Sequence, residues 1–90
     1  MKVVKLNRRF NVFKEHGHTV ALRFSIYGSK SQQYEKLCKA KLGGDGWNAE
    51  RGWYSYFGTK SHVAVARPFW ISFRNEADLT LVLLCANLTK

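Results

Sequence analysis

A two-layer α+β domain, with an antiparallel sheet, helices on one face and the order β-β-α-β-β-β-α, is the fold that this sequence predicts. Three observations carry it. Apolar residues alternate with polar ones around residues 20–26 and 69–74, residues 29–42 carry apolar side chains at helical spacing between a serine and a glycine, and Asn75 opens a second apolar run. Ninety residues with 46% hydrophobic and 14% aromatic content fit a single small domain over 1–90, well clear of compositions that stay disordered.

The elements follow in order. Even positions 4–12 read Val4, Leu6, Arg8, Phe10 and Val12, a period-2 strand with one defect at Arg8. Val20, Leu22, Phe24 and Ile26 then alternate with Ala21, Arg23, Ser25 and Tyr27. Gly17 suits the left-handed residue of a three-residue loop, so a hairpin closed by Glu15, His16 and Gly17 pairs Val12 with Val20, Phe10 with Leu22 and Leu6 with Ile26. The same register sets Arg9 against Arg23 and Lys5 against Tyr27. Like charges directly across two strands destabilise them, a cost that solvent tolerates or a bound anion removes.

Ser29 and Gln32 form a capping-box pattern at the start of a helix over residues 29–42, with Tyr34, Leu37, Cys38 and Leu42 on its apolar face and Gly43 as C-cap. Lys30, Gln33, Lys36 and Lys39 fall on the opposite face. Residues 43–58 hold five of the seven glycines and five of the thirteen aromatics. Their Gly-Gly-Asp-Gly start is turn chemistry, and a short strand then places Trp53, Ser55 and Phe57 on one face and Tyr54 and Tyr56 on the other. A turn leads to a strand over 63–66. Pro68 interrupts, and Phe69, Ile71 and Phe73 define one face of the next strand. Asn75 with Glu76 and Asp78 is a helix N-terminus, which decides for helix over a buried strand in the run 79–85. Cys38 and Cys85 sit in apolar contexts and are expected as reduced thiols.

Charge is unevenly distributed. Residues 1–41 hold ten Lys and Arg against two acids, a net +8, while the remainder contributes only +1 of the total +9. Such a field selects a polyanionic or acidic partner without bearing on the fold. No signal-peptide core is visible, and the longest apolar stretch, 81–86, is far short of the roughly 20 residues that a membrane helix needs. The expectation is therefore a soluble cytoplasmic protein that uses no membrane and no cofactor.

The candidate binding residues are cationic and aromatic. Lys5, Arg9 and Arg23 fall on one side of the expected hairpin, and Lys30, Lys36 and Lys39 on the outer side of the first helix; all six suit phosphate or an acidic protein surface. Tyr27, Trp47 and Tyr54 are the aromatic contact candidates, with Trp47 the hardest to bury by pattern. A solvated sheet face explains the strand cations equally well, the helix macrodipole explains Lys39, and core filling explains much of Trp53, Tyr56 and Phe57. Arg51-Gly52-Trp53 begins like the signature of the RNA-recognition motif, but the later small and aromatic positions are missing and a hairpin precedes the helix, which makes the match a coincidence. The His16–His18 pair has the H-x-H spacing that can start a zinc site, and with His62 these residues could serve a nuclease, yet two ligands and distant apolar cysteines support a metal weakly and turn histidines are usually only solvated; no complete phosphate-binding loop is present.

The run over residues 69–80, in which the aromatic strand Phe69-Trp70-Ile71-Ser72-Phe73 leads into Asn75-Glu76-Ala77-Asp78, resembles segments of small uncharacterised bacteriophage proteins. That resemblance implies a product acting in the host bacterial cytoplasm and transfers no functional residue. The function expected from the residues is a non-enzymatic basic protein that binds nucleic acid through the hairpin face and the helix. Two alternatives stand beside it: a small phage-type inhibitor or adaptor that docks on an acidic or nucleic-acid-binding surface of a host or defence protein, and a small ribonuclease.

Overall fold

The computed structural model describes residues 1–48, 50, 52–58 and 68–88. The elements are β1 (Lys2–Lys5), α1 (Asn11–His16), β2 (Val20–Phe24), α2 (Ser29–Leu42), β3 (Trp53–Phe57), β4 (Phe69–Phe73) and α3 (Glu76–Leu88). The strand expected over 63–66 lies outside the described residues. Four strands form one antiparallel sheet in the order β1-β2-β4-β3. Because β2 and β3 both run antiparallel to β4, they are parallel to each other, and β2-α2-β3 is a split β-α-β unit with β4 inserted between its strands.

Alternation along β4 divides the molecule. Phe69, Ile71 and Phe73 point to one face, where they meet Val20, Leu22 and Phe24 of β2, Trp53 of β3, Tyr34 and Cys38 of α2, and Leu79, Val82 and Ala86 of α3. This is the core, and α2 and α3 also contact each other above it. Fully burying a side chain of this size is worth about 1.5–3 kcal/mol, so the inward positions of β2 and β4 set where the helices dock. Both long helices thus lie on one face of an α+β sandwich, as the pattern predicts. Cys38 is buried among them and its thiol is pushed up to about 12 by that burial; both cysteines are free.

The first two strands pair antiparallel as expected, but not as a tight hairpin closed by residues 15–17. The strand stops at Lys5, and β1 pairs Lys2 with Arg23, Val3 with Leu22, Val4 with Ala21 and Lys5 with Val20. Arg9 is therefore not opposite Arg23, and Lys5 is not opposite Tyr27. The reason lies in residues 7–17. Asn7 Oδ1 accepts the Arg9 N–H at 2.9 Å and its carbonyl accepts the Phe10 N–H at 3.0 Å, which turns the chain at the Arg8 defect in the strand pattern. One short helix follows and ends on Gly17, whose φ of 72° is the left-handed cap that the sequence signalled for a hairpin loop. The actual register differs from the expected one by an odd number of residues, so the even positions of β1 share a face with Arg23 instead of Leu22. Lys2 and Lys5 on this edge strand also discourage edge-to-edge pairing.

Helix α2 has the predicted bounds but a different cap. Ser31, not the Ser29–Gln32 pair, closes its N-terminus: Ser31 Oγ accepts the Gly28 N–H and donates to the Gly28 carbonyl, both at 2.8 Å. At the other end the chain folds under Trp53. The indole Nε1–H donates to the Gly43 carbonyl at 2.7 Å, and the Ser55 N–H donates to the Gly46 carbonyl at 2.9 Å, which ties the glycine-rich loop to the outer edge of β3. Gly46 has φ 77°, and a Cβ there would overlap the Trp53 ring.

Replacing Gly46 by alanine is expected to combine backbone strain of about 1–3 kcal/mol with overpacking of about 1–3 kcal/mol. Gly17→Ala, where a Cβ meets nothing within 4 Å, should show only left-handed strain of about 1–2 kcal/mol. Urea unfolding of the two variants measures the difference; equal losses would remove the Trp53 contact as the constraint on this loop.

Candidate nucleic-acid interface

The face of the sheet away from α2 and α3 carries the residues that alternation turns outward. Pairing across all four strands puts Lys2, Arg23, Trp70 and Tyr56 in one row, and Val4, Ala21, Ser72 and Tyr54 in the next. The second row is largely closed: Ala21 and Ser72 are buried, and the excursion through α1 returns His18 against Ser72, with His18 Nδ1 and Ser72 Oγ 2.9 Å apart in a buried hydrogen bond. The first row stays open, with Lys2 and Arg23 exposed and Trp70 and Tyr56 half-buried.

Its aromatic rings form an ordered array. Tyr54 and Tyr56 are stacked at 5.0 Å between centroids and 19° between planes, and Tyr56 and Trp70 are parallel within 5° at 6.4 Å. The Arg23 guanidinium lies 5.9 Å from the Trp70 ring centroid, within cation–π range, and Phe10 from the segment before α1 meets Trp70 edge-on at 5.7 Å. Burial, partly offset by a hydrogen bond to Ser72, pushes the Tyr56 hydroxyl up to about 12. Two cavities open on this face. One of about 410 Å³ lies between α1 and β3 and is lined by Arg9, Asn11, His16, Tyr54 and Tyr56 among others; the second, of about 300 Å³, is lined by Phe10, Arg23, Tyr56, Gly58, Pro68 and Trp70.

Among the described residues the one basic–acidic contact within 4 Å is His16 Nε2 to Glu15 Oε2, at 3.8 Å, and no carboxylate there reaches the guanidinium groups of Arg9 and Arg23 or the Lys2 ammonium. That arrangement supplies positive charge and flat apolar faces side by side, the two elements that hold phosphate and stack on bases.

Of the residues singled out from the sequence, Arg9, Arg23 and Tyr54 belong to this face, although Arg9 reaches it from the segment before α1 and not from a strand. Lys5 is on the β1 edge, at a position that shares its face with Val20 on the helix side. Lys30, Lys36 and Lys39 are exposed on α2, which packs on the opposite face, so the strand and helix cations form separate surfaces. Tyr27 and Trp47 line a third groove, of about 380 Å³, with Glu35, Ser55, Phe57 and Phe69, and Tyr54 and Tyr56 of the open face also border it. There Trp47 is 81% exposed, Tyr27 packs on Phe69 and Phe57 at centroid distances of 4.7 and 5.6 Å, and a hydrogen bond to Glu35 raises the Tyr27 hydroxyl above its ordinary value.

Lys2, Phe10, Tyr56 and Trp70 were missing from the sequence-derived set. The alternation that put Phe69, Ile71 and Phe73 inward already placed Trp70 outward, which was the available signal. Alternation also set Tyr56 on the same face as Tyr54, with core filling as the rival reading of its ring, and nothing local indicated that Lys2 would stand beside Arg23. The histidines are dispersed in role: His16 lines the first cavity, His18 is buried against Ser72 in the closed second row, and His62 lies outside the described residues. Among the described residues no group of three His, Cys, Asp or Glu could hold a metal ion, and no helix is long and apolar enough to cross a membrane. Comparison with protein-family models, with curated proteins and with solved structures finds no match.

The raised hydroxyl of Tyr56 has a consequence for stability. The folded protein keeps this proton up to about pH 12, whereas the unfolded chain releases it near the ordinary value of 10.0, so the contribution is complete below pH 10 and is lost as pH rises from 10 to about 12. Tyr56→Phe should therefore show a shallower fall in unfolding free energy over that interval than the unsubstituted protein, as measured by urea titrations at successive pH values; parallel curves would exclude a buried hydroxyl.

Proposed function

We propose that the protein is a non-enzymatic nucleic-acid-binding protein and that it binds through the open face of its sheet. The observation that carries this is the row Lys2–Arg23–Trp70–Tyr56, in which two cations without an acidic partner among the described residues continue directly into two parallel rings. A four-stranded sheet with helices behind it and aromatic residues on its open face is a platform on which unpaired bases can stack. Arg23 serves both parts: it holds phosphate as a planar donor and it caps the Trp70 ring. The exposed α2 lysines add long-range attraction from the other side of the molecule and make no contact with the same ligand segment.

Fluorescence anisotropy with a labelled oligonucleotide at rising salt tests this proposal. Affinity should fall steeply with salt, and Arg23→Gln or Lys2→Gln should each reduce the slope of log K against log salt by about 0.7–0.9. Replacing Lys36 and Lys39 together by glutamine should change the slope less than either. Trp70→Ala should cost about 1–3 kcal/mol of binding. Absence of any salt-sensitive binding would end the proposal.

A second reading, a small inhibitor or adaptor that binds another protein, is favoured by a separate observation. Ile26, Tyr27, Trp47 and Phe57 are 58, 43, 81 and 51% exposed, and Trp47, Tyr27 and Phe57 line one groove. Exposed tryptophan and tyrosine are common interface anchors. On this reading Trp47→Ala abolishes stoichiometric retention of a protein partner from nuclease-treated lysate while oligonucleotide binding is unchanged; a retained partner that ignores Trp47 would count against this groove.

A further inference from the structure

We infer that the open face holds two adjacent single-nucleotide subsites, so that its ligand is an unpaired strand engaged through two consecutive bases. This rests on the nucleic-acid proposal above and adds the class of ligand. The two cavities on the face are neighbours: both are lined by Phe10, Tyr56 and Gly58. Each has one arginine, Arg9 in the larger and Arg23 in the smaller, and neither guanidinium has an acidic partner among the described residues. One planar cation per cavity matches one phosphate per nucleotide, since a guanidinium can hold two phosphate oxygens at once.

The rings set the orientation of the bases. Tyr56 is common to both cavities, and its plane lies within 19° of Tyr54 in the larger one and within 5° of Trp70 in the smaller. Flat groups that enter the two cavities parallel to these rings therefore adopt nearly the same orientation, as successive bases of one strand do. Phe10, edge-on to Trp70, stands at the junction and separates the two positions. Glu15, at the wall of the larger cavity, accepts hydrogen bonds and repels phosphate, which suits a base edge there and leaves the phosphate to Arg9. A base-paired duplex cannot fill such cavities without unstacking its bases, at a cost of a few kcal/mol.

The test uses the full chain, a labelled 12-nucleotide single strand of mixed sequence, the same sequence as a duplex, and 5′-phosphorylated mono-, di- and trinucleotides as competitors. The single strand should bind on the order of tenfold more tightly than the duplex, and competition should improve by about tenfold from one to two nucleotides and much less from two to three, following the usual worth of a base stack. Arg9→Gln should abolish most of the gain from one to two, and Tyr54→Ala should weaken the 12-mer by about 5- to 150-fold. Circular dichroism checks the fold of the Tyr54 variant, and Arg9 is exposed, so its variant keeps the test independent of folding. Duplex binding as tight as the single strand overturns the paired subsites. So does a result in which Trp70→Ala and Arg23→Gln weaken binding while Arg9→Gln and Tyr54→Ala leave it unchanged, and in that case binding by the open face survives. Failure of the 12-mer to bind in either form overturns the nucleic-acid proposal itself.

Discussion

Strand β4 has to satisfy two faces at once, and the rest of the molecule is arranged around that demand. It is paired on both sides, so its side-chain alternation cannot slip relative to β2 or β3 without turning every apolar residue into the wrong layer. Phe69, Ile71 and Phe73 are buried by α2 and α3, and that burial fixes the register. The same register then places Trp70 between Arg23 and Tyr56, and Ser72 against the buried His18. The candidate interface is in this sense the back of the core: the packing energy is gained on one side of the strand, and the geometry of the open face follows on the other.

The departure at the N-terminus is what opens and bounds that face. A tight hairpin would have covered β2 with a long strand and set Arg9 against Arg23. Instead Asn7 turns the chain, β1 ends after four residues, and the short α1 segment crosses to the outer side, bringing Phe10 to Trp70 and Arg9 to the cavity beside Tyr54. The two arginines are thereby separated between neighbouring cavities instead of being paired across a strand. Positive charge without an acidic partner among the described residues remains a cost to the compact state.

Several features were open to inspection in the residues themselves. The bounds of α2 and β3, the helix after Asn75, and the inward positions of β2 and β4 all follow from periodicity and turn chemistry, because each depends on a single face of a single element meeting an apolar core. Arg9, Arg23 and Tyr54 were identified as candidates by charge and alternation. The tight hairpin failed as an expectation because Gly17 ends a short helix as readily as it closes a three-residue loop, and because Asn7 competes for the backbone locally in a way that an apolar period does not record.

The sequence by itself determined the α+β class, the two long helices, the division of polar and apolar positions along the strands, and a strong excess of positive charge in its first half. Only the tertiary structure decided which charges meet which rings. Lys2, Arg23, Trp70 and Tyr56 come from four different strands, and Arg9 and Phe10 from the segment before α1, so their association depends on strand order and register. Those are set by long-range burial, which local patterns constrain but do not specify. The same crossing of elements put the α2 lysines on the far side of the sheet, dividing into two surfaces a charge that composition alone presented as one.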